Sequence, residues 1–374
     1  MTTTSTTTMK ALVSRLDLIT LIGKIQNAVS PKPAIPILGN VLIEAQDDEL
    51  VLSTTDLTVS MRGHVSAKVA EEGAITLPAR RFFQLVRELT TPYIELHATT
   101  PEVAYVNAGS SHFKIQGMHK SEFPTLPDLS EEIHFVMHSA ALKEMLLRTS
   151  FSAAREDSRQ ILNGVLLQKS ANVATIVATD GKRLAKAHTV IDHATPTPQS
   201  YIIPIKAVEE ILKILDTKEE ACKLTLMADR IAVEAGNTTL ITKLLSGQFP
   251  DISRIIPERS KTPVALHREE LISLLRQVSL FTNEGNSSVR FTFTSGMLHI
   301  AAMSGEIGEG VVSMPVNYAG EKLELAFNPH YFLDILRHCK DETVHFSITG
   351  PYNPGLITDS SSALFVIMPM RIDT

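Results

Sequence analysis

Apolar and polar residues alternate along most of this chain with a period of two, the pattern of strands with one buried face. Six times the period lengthens, and apolar residues fall at i, i+3, i+4 and i+7, the stripe of a helix lying on a core. The spacing predicts helices over residues 15–29, 79–89, 139–149, 205–215, 267–281 and 329–339. Their stripes include Leu18, Leu21, Ile22 and Ile25; Val208, Ile211, Leu212 and Leu215; and Leu271, Leu274, Leu275 and Val278. Between them, NVLIEAQDDELVLSTTDLTVSMRGHVSA reads as successive antiparallel strands turning at 46–49 and 54–56, and SVRFTFTSGMLHIAA as a hairpin turning at Ser295-Gly296. Each third of the chain thus holds two helices among short strands, an α+β layering.

The thirds are copies. TLPARRFFQLVREL, IIPIKAVEEILKIL and AFNPHYFLDIL each run from an apolar strand end through a proline suited to a helix's first turn into an amphipathic helix. Their prolines, Pro78, Pro204 and Pro329, stand 126 and 125 residues apart. LVLSTTDLTVSM matches TIVATDGKRLA with Asp56 and Asp180 124 residues apart, and MLHIAAMSG is a third copy without the acid. Phe123 and Phe249, each before a proline, keep a step of 126. This period is too long for a solenoid repeat and suits whole domains. The expected division is a polar tail at 1–8 and domains at 9–131, 132–260 and 261–374, with joints near 130–132 and 259–261.

The chain has 374 residues, 44% hydrophobic and 20% charged, an ordinary globular balance that leaves room for three domains. Cys222 and Cys339 lie in apolar contexts and read as buried free thiols; a metal site needs more ligands. No apolar run is long enough to span a membrane and no signal peptide is evident, so the expected compartment is the cytoplasm. The opening MTTTSTTT is too polar to order itself. A net charge of −6 argues against nucleic acid unless the charges are segregated. Arg80, Gln84 and Arg87 share one helix face, as do Lys206, Glu210 and Lys213, and His330, Asp334 and Arg337. Taken singly these are solvated faces interrupted by acids; only an arrangement turning all six helices to one place would make them a basic surface.

Catalytic signatures are missing. There is no phosphate-binding G-x-x-x-x-G-K-[ST], no G-x-G-x-x-G, no H-E-x-x-H and no G-x-S-x-G. His134 and His138 sit in the alternating IHFVMH, a strand and not a metal pair. Asp157, Asp180 and Asp251 could form a magnesium-binding cluster, but Asp180 before glycine and Asp251 after proline suit local turn hydrogen bonding better. With no Trp and six Tyr, stacking platforms for single strands are scarce.

Four passages together, PAIPILGNVLI, ATDGKRLA, QFPDISRIIP and the terminal FVIMPMRI, resemble the bacterial DNA polymerase III sliding clamp, its beta subunit, in order from Met9 to the end. The resemblance implies three DNA-clamp domains and a head-to-tail ring homodimer whose twelve helices line a hole for duplex DNA. It implies a processivity factor, not an enzyme, with no cofactor and no membrane. Its partners would be duplex DNA, the replicative polymerase, a clamp loader and other DNA-processing proteins bound through short linear motifs. Positions matching the family's DNA-facing residues are Lys32, Arg80, Arg155, Arg159 and Lys206, with Glu156 standing where relatives often carry a neutral polar residue.

The same resemblance implies a peptide-binding groove between the second and third domains. The second contributes Leu162, Thr179, Gly181, Lys182, Arg183 and Leu184, then Pro250, Arg254 and Ile255. The third contributes Tyr318, Pro354, Val366, Met368, Pro369, Met370 and Arg371. Methionines and prolines make an adaptable apolar wall, Gly181 lets a backbone approach, and Arg183 and Arg371 are suited to a peptide carbonyl or carboxylate. Lys182 replaces a histidine common in relatives. For ring closure the matching residues are Leu280, Phe281, Glu306 and Glu309 in the third domain and Phe113 in the first. Two rival readings are a nucleic-acid-processing enzyme with metal-dependent turnover needing Asp180 or Asp251, and a monomeric peptide-binding scaffold.

Overall fold

The structure, a computed structural model, describes residues 8–30, 32–129, 133–215, 220–260, 262–283 and 287–371, with the main chain alone at 192–197. The tail expected at 1–8 and the joints expected at 130–132 and 259–261 fall wholly or partly outside these residues. All six expected helices are present: α1 Arg15–Ile25, α2 Ala79–Glu88, α3 Ser139–Thr149, α4 Ile205–Ile214, α5 Arg268–Ser279 and α6 Pro329–His338. None among the described residues is long and apolar enough to cross a membrane.

Most differences lie at helix ends. Helix α1 stops four residues early because the chain tightens into a 3-10 turn at Gln26–Ala28. Of the three repeat prolines, Pro329 opens a helix, whereas Pro78 and Pro204 close the preceding strands Gly73–Pro78 and Arg183–Pro204, where their fixed φ fits extended backbone equally well. The caps follow local chemistry. Ser14 Oγ accepts from the Asp17 N–H, and Asn328 Oδ1 from the His330 and Tyr331 N–H groups. Arg15 donates to the carbonyls of Val86 and Arg87, so the start of α1 satisfies the end of α2, and Arg268 of α5 reaches Leu336 O of α6 in the same way.

The chain forms two compact units. The first, Met1–Ala140 with Lys206–Leu244, holds a twelve-stranded antiparallel sheet. Its spine runs from the edge strand Ser111–Gln116 inward to Met9–Ser14 and Val59–Glu71. There Val59–Gly63 pair with Thr238–Thr242, carrying the sheet from the first third of the chain into the second. Leu18, Leu21, Ile22, Phe82 and Val86 bury the helix faces on it. The turn expected at 54–56 falls between Thr55 and Val59, and the one at 46–49 is at Asp47-Asp48.

The second unit, Ala141–Ile205 with Leu245–Thr374, holds a six-stranded and a four-stranded sheet. In the former, Arg183–Lys186 pair with Leu364–Phe365–Val366–Ile367, the same step from one third to the next. The four-stranded sheet ends on Gly308–Pro315. One buried aromatic cluster joins Phe291, Phe327, Phe332 and Phe346 in edge and stacked contacts. Leu212 and Leu274 are only half-buried, and Ile214 and Ile272 take the inner positions. Glu210, expected on a solvated face, is buried instead, with Oε1 accepting from Lys213 Nζ at 2.7 Å. That i, i+3 pair holds the carboxylate against the helix and out of solvent.

An arginine binds the two parts of this unit. Arg148, on α3, sends Nη2 to Asp359 Oδ2 at 2.5 Å and Nε to His338 O at 2.9 Å, and Nη1 contacts Ser361 Oγ. Both side chains of the pair are almost fully buried. Burial alone would raise the Asp359 pKa; hydrogen bonds from the Lys340 N–H and Ser361, with the Arg148 charge, outweigh it and hold the carboxyl below the usual range. Since the folded value is the lower one, this stabilisation is full above the unfolded carboxylate pKa of about 4 and is lost as pH falls through the folded value. Arg148→Ala strands a buried carboxylate and should cost about 3–5 kcal/mol in urea unfolding at pH 7, and less below about pH 4.

Candidate functional site

Three turns, one per third, share a single construction. Asp56 Oδ1 accepts from the Thr58 and Val59 N–H groups at 2.9 and 2.7 Å. Asp180 Oδ1 accepts from Lys182 and Arg183 at 2.9 and 3.0 Å. In the last third, where the acid is absent, Ser304 Oγ takes its place, accepting from Glu306 and Ile307 at 3.3 and 3.4 Å. A threonine before each acid adds a bond: Thr55 Oγ1 accepts from Leu57 N, and Thr179 Oγ1 from Gly181 N. These are side-chain-capped turns, so Asp180 has the turn role expected of it. Asp251 Oδ1 likewise accepts from the Ser253 N–H. Among the described residues no group of three His, Cys, Asp or Glu could hold a metal ion. Burial pushes the Cys222 and Cys339 thiols up to about 11 and about 12, so both are inert.

The turn at Asp180 is the hub of the expected groove. Gly181 has φ +84°, a backbone region that side chains rarely tolerate. Beyond it, Leu184 pairs with Val366 and Arg183 with Ile367, and the Met368 N–H continues to Lys182 O at 2.9 Å. Leu184 and Val366 belong to one apolar cluster with Leu166, Val177, Ile202 and Leu356, against which Ile255 packs. Pro354 directly precedes Gly355, which pairs with Ile367. Thr179, Gly181, Lys182, Arg183, Leu184, Ile255, Pro354, Val366 and Met368 are therefore gathered by main-chain pairing and the shared core. Leu162 is buried nearby in sequence to the strand that starts at Gly164. Met370 bridges Ala326, and Pro369 lies between it and Met368. Pro250 and Arg371 are exposed, and Arg254 is exposed and reaches Asp251 at 3.5 Å. Tyr318 donates to Glu321 O and packs its ring beside Phe293.

Arg183 departs from its expected use. Its Nε holds Asp180 at 3.1 Å, Nη1 holds Asp334 of α6 at 2.7 Å and Nη2 donates to Phe151 O at 2.9 Å. The guanidinium also lies over the Tyr331 ring at 4.6 Å. It is a brace between the turn and α6 and not a free hand for a peptide carboxylate. Asp334, which sequence patterning placed on a solvated face, is drawn into this brace and also binds Arg337 at 3.0 Å.

Of the expected DNA-facing residues, Lys32, Arg80 and Lys206 line one cavity of about 560 Å³ in the first unit. Lys206 is ion-paired with Asp56. Arg155 and Arg159 lie in the second unit, both exposed. Arg159 clamps Asp157 through Nε at 3.0 Å and Nη2 at 2.9 Å, and these bonds with the Arg159 N–H draw the Asp157 carboxyl down to about 2. Glu156 beside it is exposed.

At the expected interface, Leu280 is 74% exposed, and Phe281 packs on Gly310. Met303 at 82% and Val311 at 67% are exposed on the last two strands of the four-stranded sheet, on the face opposite Gly310. Sequence reasoning missed both, because each sits in an ordinary strand alternation. Glu306 and Glu309 are exposed beside them. Phe113 is partly exposed on the edge strand Ser111–Gln116 of the first unit.

Sequence models of the DNA polymerase III beta subunit match the chain in order: the N-terminal domain over residues 9–127, the central domain over 136–251 and the C-terminal domain over 253–371. The chain belongs to the DNA polymerase III beta-subunit family. Members of that family similar to it include the beta sliding clamp of Chlamydia muridarum (strain MoPn / Nigg), 53% identical over 366 residues, 97% of this chain and 99% of that one. The beta sliding clamp of Escherichia coli (strain K12) is 32% identical over 97% of this chain and 100% of its own length. Among solved structures, a DNA polymerase sliding clamp from Pseudomonas aeruginosa with ligand superposes with a TM-score of 0.93 at 29% identity, over 97% of this chain and 100% of that one. A sliding clamp of the same organism bound to griselimycin gives the same score, identity and coverage. The three family domains agree with the three repeats, although the second family boundary, at 251–253, falls ahead of the joint expected near residue 260.

The groove hub offers a direct check. Gly181→Ala forces a side chain into the left-handed region and sets its Cβ 3.3 Å from Arg159 Nη2. It should lower unfolding stability by about 1 kcal/mol in a denaturant titration.

Proposed function

We propose that this chain is a DNA polymerase processivity factor. Two copies close head to tail into a ring that encircles duplex DNA, slides without reading sequence, and tethers the replicative polymerase and other DNA-processing proteins through a peptide groove. The observation that carries this reading is the match of all three beta-subunit domains, in order, across nearly the whole chain.

Strand pairing supports ring closure. In the first two thirds the strand after the capped turn pairs with the last strand of the next third: Val59–Glu71 with Thr238–Lys243, and Arg183–Pro204 with Leu364–Ile367. In the last third the corresponding strand, Gly308–Pro315, ends its sheet, and so does Ser111–Gln116 in the first. A second copy offers each edge the partner that the repeat rule calls for, and a head-to-tail contact of this kind closes when its rotation fits. Leu280 and Phe281 then meet Phe113, with Glu306 and Glu309 offered to Lys114 and its neighbours.

In the ring, Lys and Arg on the helical side attract phosphates without sequence preference and with strong salt dependence. Lys32, Arg80, Arg155, Arg159 and Lys206 are the contributors, and Asp56 and Asp157 already hold Lys206 and Arg159. The groove runs along the Asp180 turn and the terminal strand, with Met368, Pro369 and Met370 as its adaptable wall and Pro250, Arg254, Tyr318 and Arg371 at its margins. The chain catalyses nothing and uses no cofactor; an ATP-driven loader opens the ring, and the working compartment is the cytoplasm. The domains divide near residues 131 and 260.

Retention on DNA tests the topological link. After loading, the protein should stay on nicked circular plasmid through gel filtration and run off once the plasmid is linearised; equal retention on both forms would contradict encirclement. Replacing Leu280 and Phe281 together with Ala should reduce the light-scattering mass from two chains to one at micromolar concentration. An undiminished mass would remove those residues from the interface.

A further inference from the structure

We propose that the cavity in the first unit is a second peptide site, which takes a short segment carrying an apolar side chain beside a carboxylate. The cavity, about 560 Å³, is lined by Lys32, Ile35, Leu38, Leu57, Arg80 and Lys206 among others. Two of its walls are apolar and open to solvent: Ile35 is 50% exposed and Leu57 46%. Leu57 is also held at φ +73°, a left-handed conformation that a branched, bulky residue adopts only when its surroundings impose it. The Asp56-capped turn imposes this conformation, as the matching turn does on Gly181, and so holds Leu57 at the cavity. Lys206 already grips one carboxylate, that of Asp56, while among the described residues the side chains of Lys32 and Arg80 have no ion-pair partner. An acidic, apolar segment complements this lining.

The internal repeat points to the same kind of occupant. Ile35, Leu38 and Leu57 stand 124 residues before Arg159, Leu162 and Gly181, so the cavity occupies in the first third the place of the expected groove's hub in the second. There the Arg159 guanidinium lies over Gly181, with Nη2 3.3 Å from where a Cβ would stand. In the first third isoleucine and leucine replace that arginine and glycine, and the space is open. Duplex DNA would use Lys32 and Arg80 but would leave the two apolar walls idle, since a phosphate backbone offers them nothing. The proposal leans on the groove reading for the class of ligand, so its test must report the two sites separately.

The full-length protein, labelled at Ile, Leu and Val methyls, is titrated with the blocked hexapeptide Gly-Asp-Leu-Phe-Asp-Gly. The expected result is saturable shifts at Ile35 and Leu57, with affinity reduced about tenfold by Arg80→Ala, the effect of losing one charge-assisted hydrogen bond. Leu57→Gly should also weaken binding while keeping the fold, because the second third uses glycine at this place. Shifts confined to Leu184 and Val366 would overturn the proposal and leave the groove reading intact. Shifts at Ile35 and Leu57 alone would uphold it while the groove reading fails for this peptide. No saturable shift at Ile35 and Leu57 up to millimolar peptide, or shifts there only with a short DNA duplex, would overturn it.

Discussion

Main-chain pairing between consecutive thirds of the chain is the constraint on which everything else rests. Each capped turn delivers a strand whose first few residues hydrogen-bond to the last strand of the following third: Val59–Gly63 with Thr238–Thr242, and Arg183–Lys186 with the strand Leu364–Ile367. Backbone groups buried at such a seam have to be paired. The rule runs out in the last and first thirds, where Gly308–Pro315 and Ser111–Gln116 each finish a sheet. An unfilled edge flanked by exposed Leu280, Met303 and Val311 is a poor surface for a solitary protein and a good one for self-association. In the proposed ring the same physics that links thirds within a chain links the chains.

Charge reinforces these seams with different residues each time. Between the first and second thirds, an acid on the turn, Asp56, meets a base on the next helix, Lys206. Between the second and third, the polarity reverses, and Arg183 on the turn meets Asp334 on α6, with Arg148 and Asp359 forming a further buried pair. Truncating one partner of a buried pair costs far more than the pair itself contributes. The proposed groove sits on the second of these seams, so Arg183 shapes it by fixing the turn and α6 relative to each other, while Met368, 38% exposed, is left to meet a ligand.

Local pattern made much of this legible. Apolar spacing located all six helices to within a few residues, and Asp180-Gly181 announced its own turn because the acid and the glycine do their work within four positions. The repeat was visible through its prolines and Asp-bearing turns. Other features were hidden by distance. Arg148 and Asp359 are 211 residues apart, and no spacing rule connects them. Arg183 looked available for a ligand because Asp334, 151 residues on, carried no local sign of being its partner. Ser304 escaped notice as the third turn's cap because a hydroxyl can replace a carboxylate there without any resemblance in charge. Glu210 read as solvated because helical phase alone does not reveal what buries it.

Backbone amide hydrogen exchange as a function of protein concentration probes the seam rule most directly. If a second copy completes both edges, the amides of Ser111–Gln116 and Gly308–Pro315 are protected together at high concentration and lose protection together on dilution, with the internal seams at 59–63 and 183–186 unaffected. Free exchange at both edges at every concentration, beside protected internal seams, would contradict it.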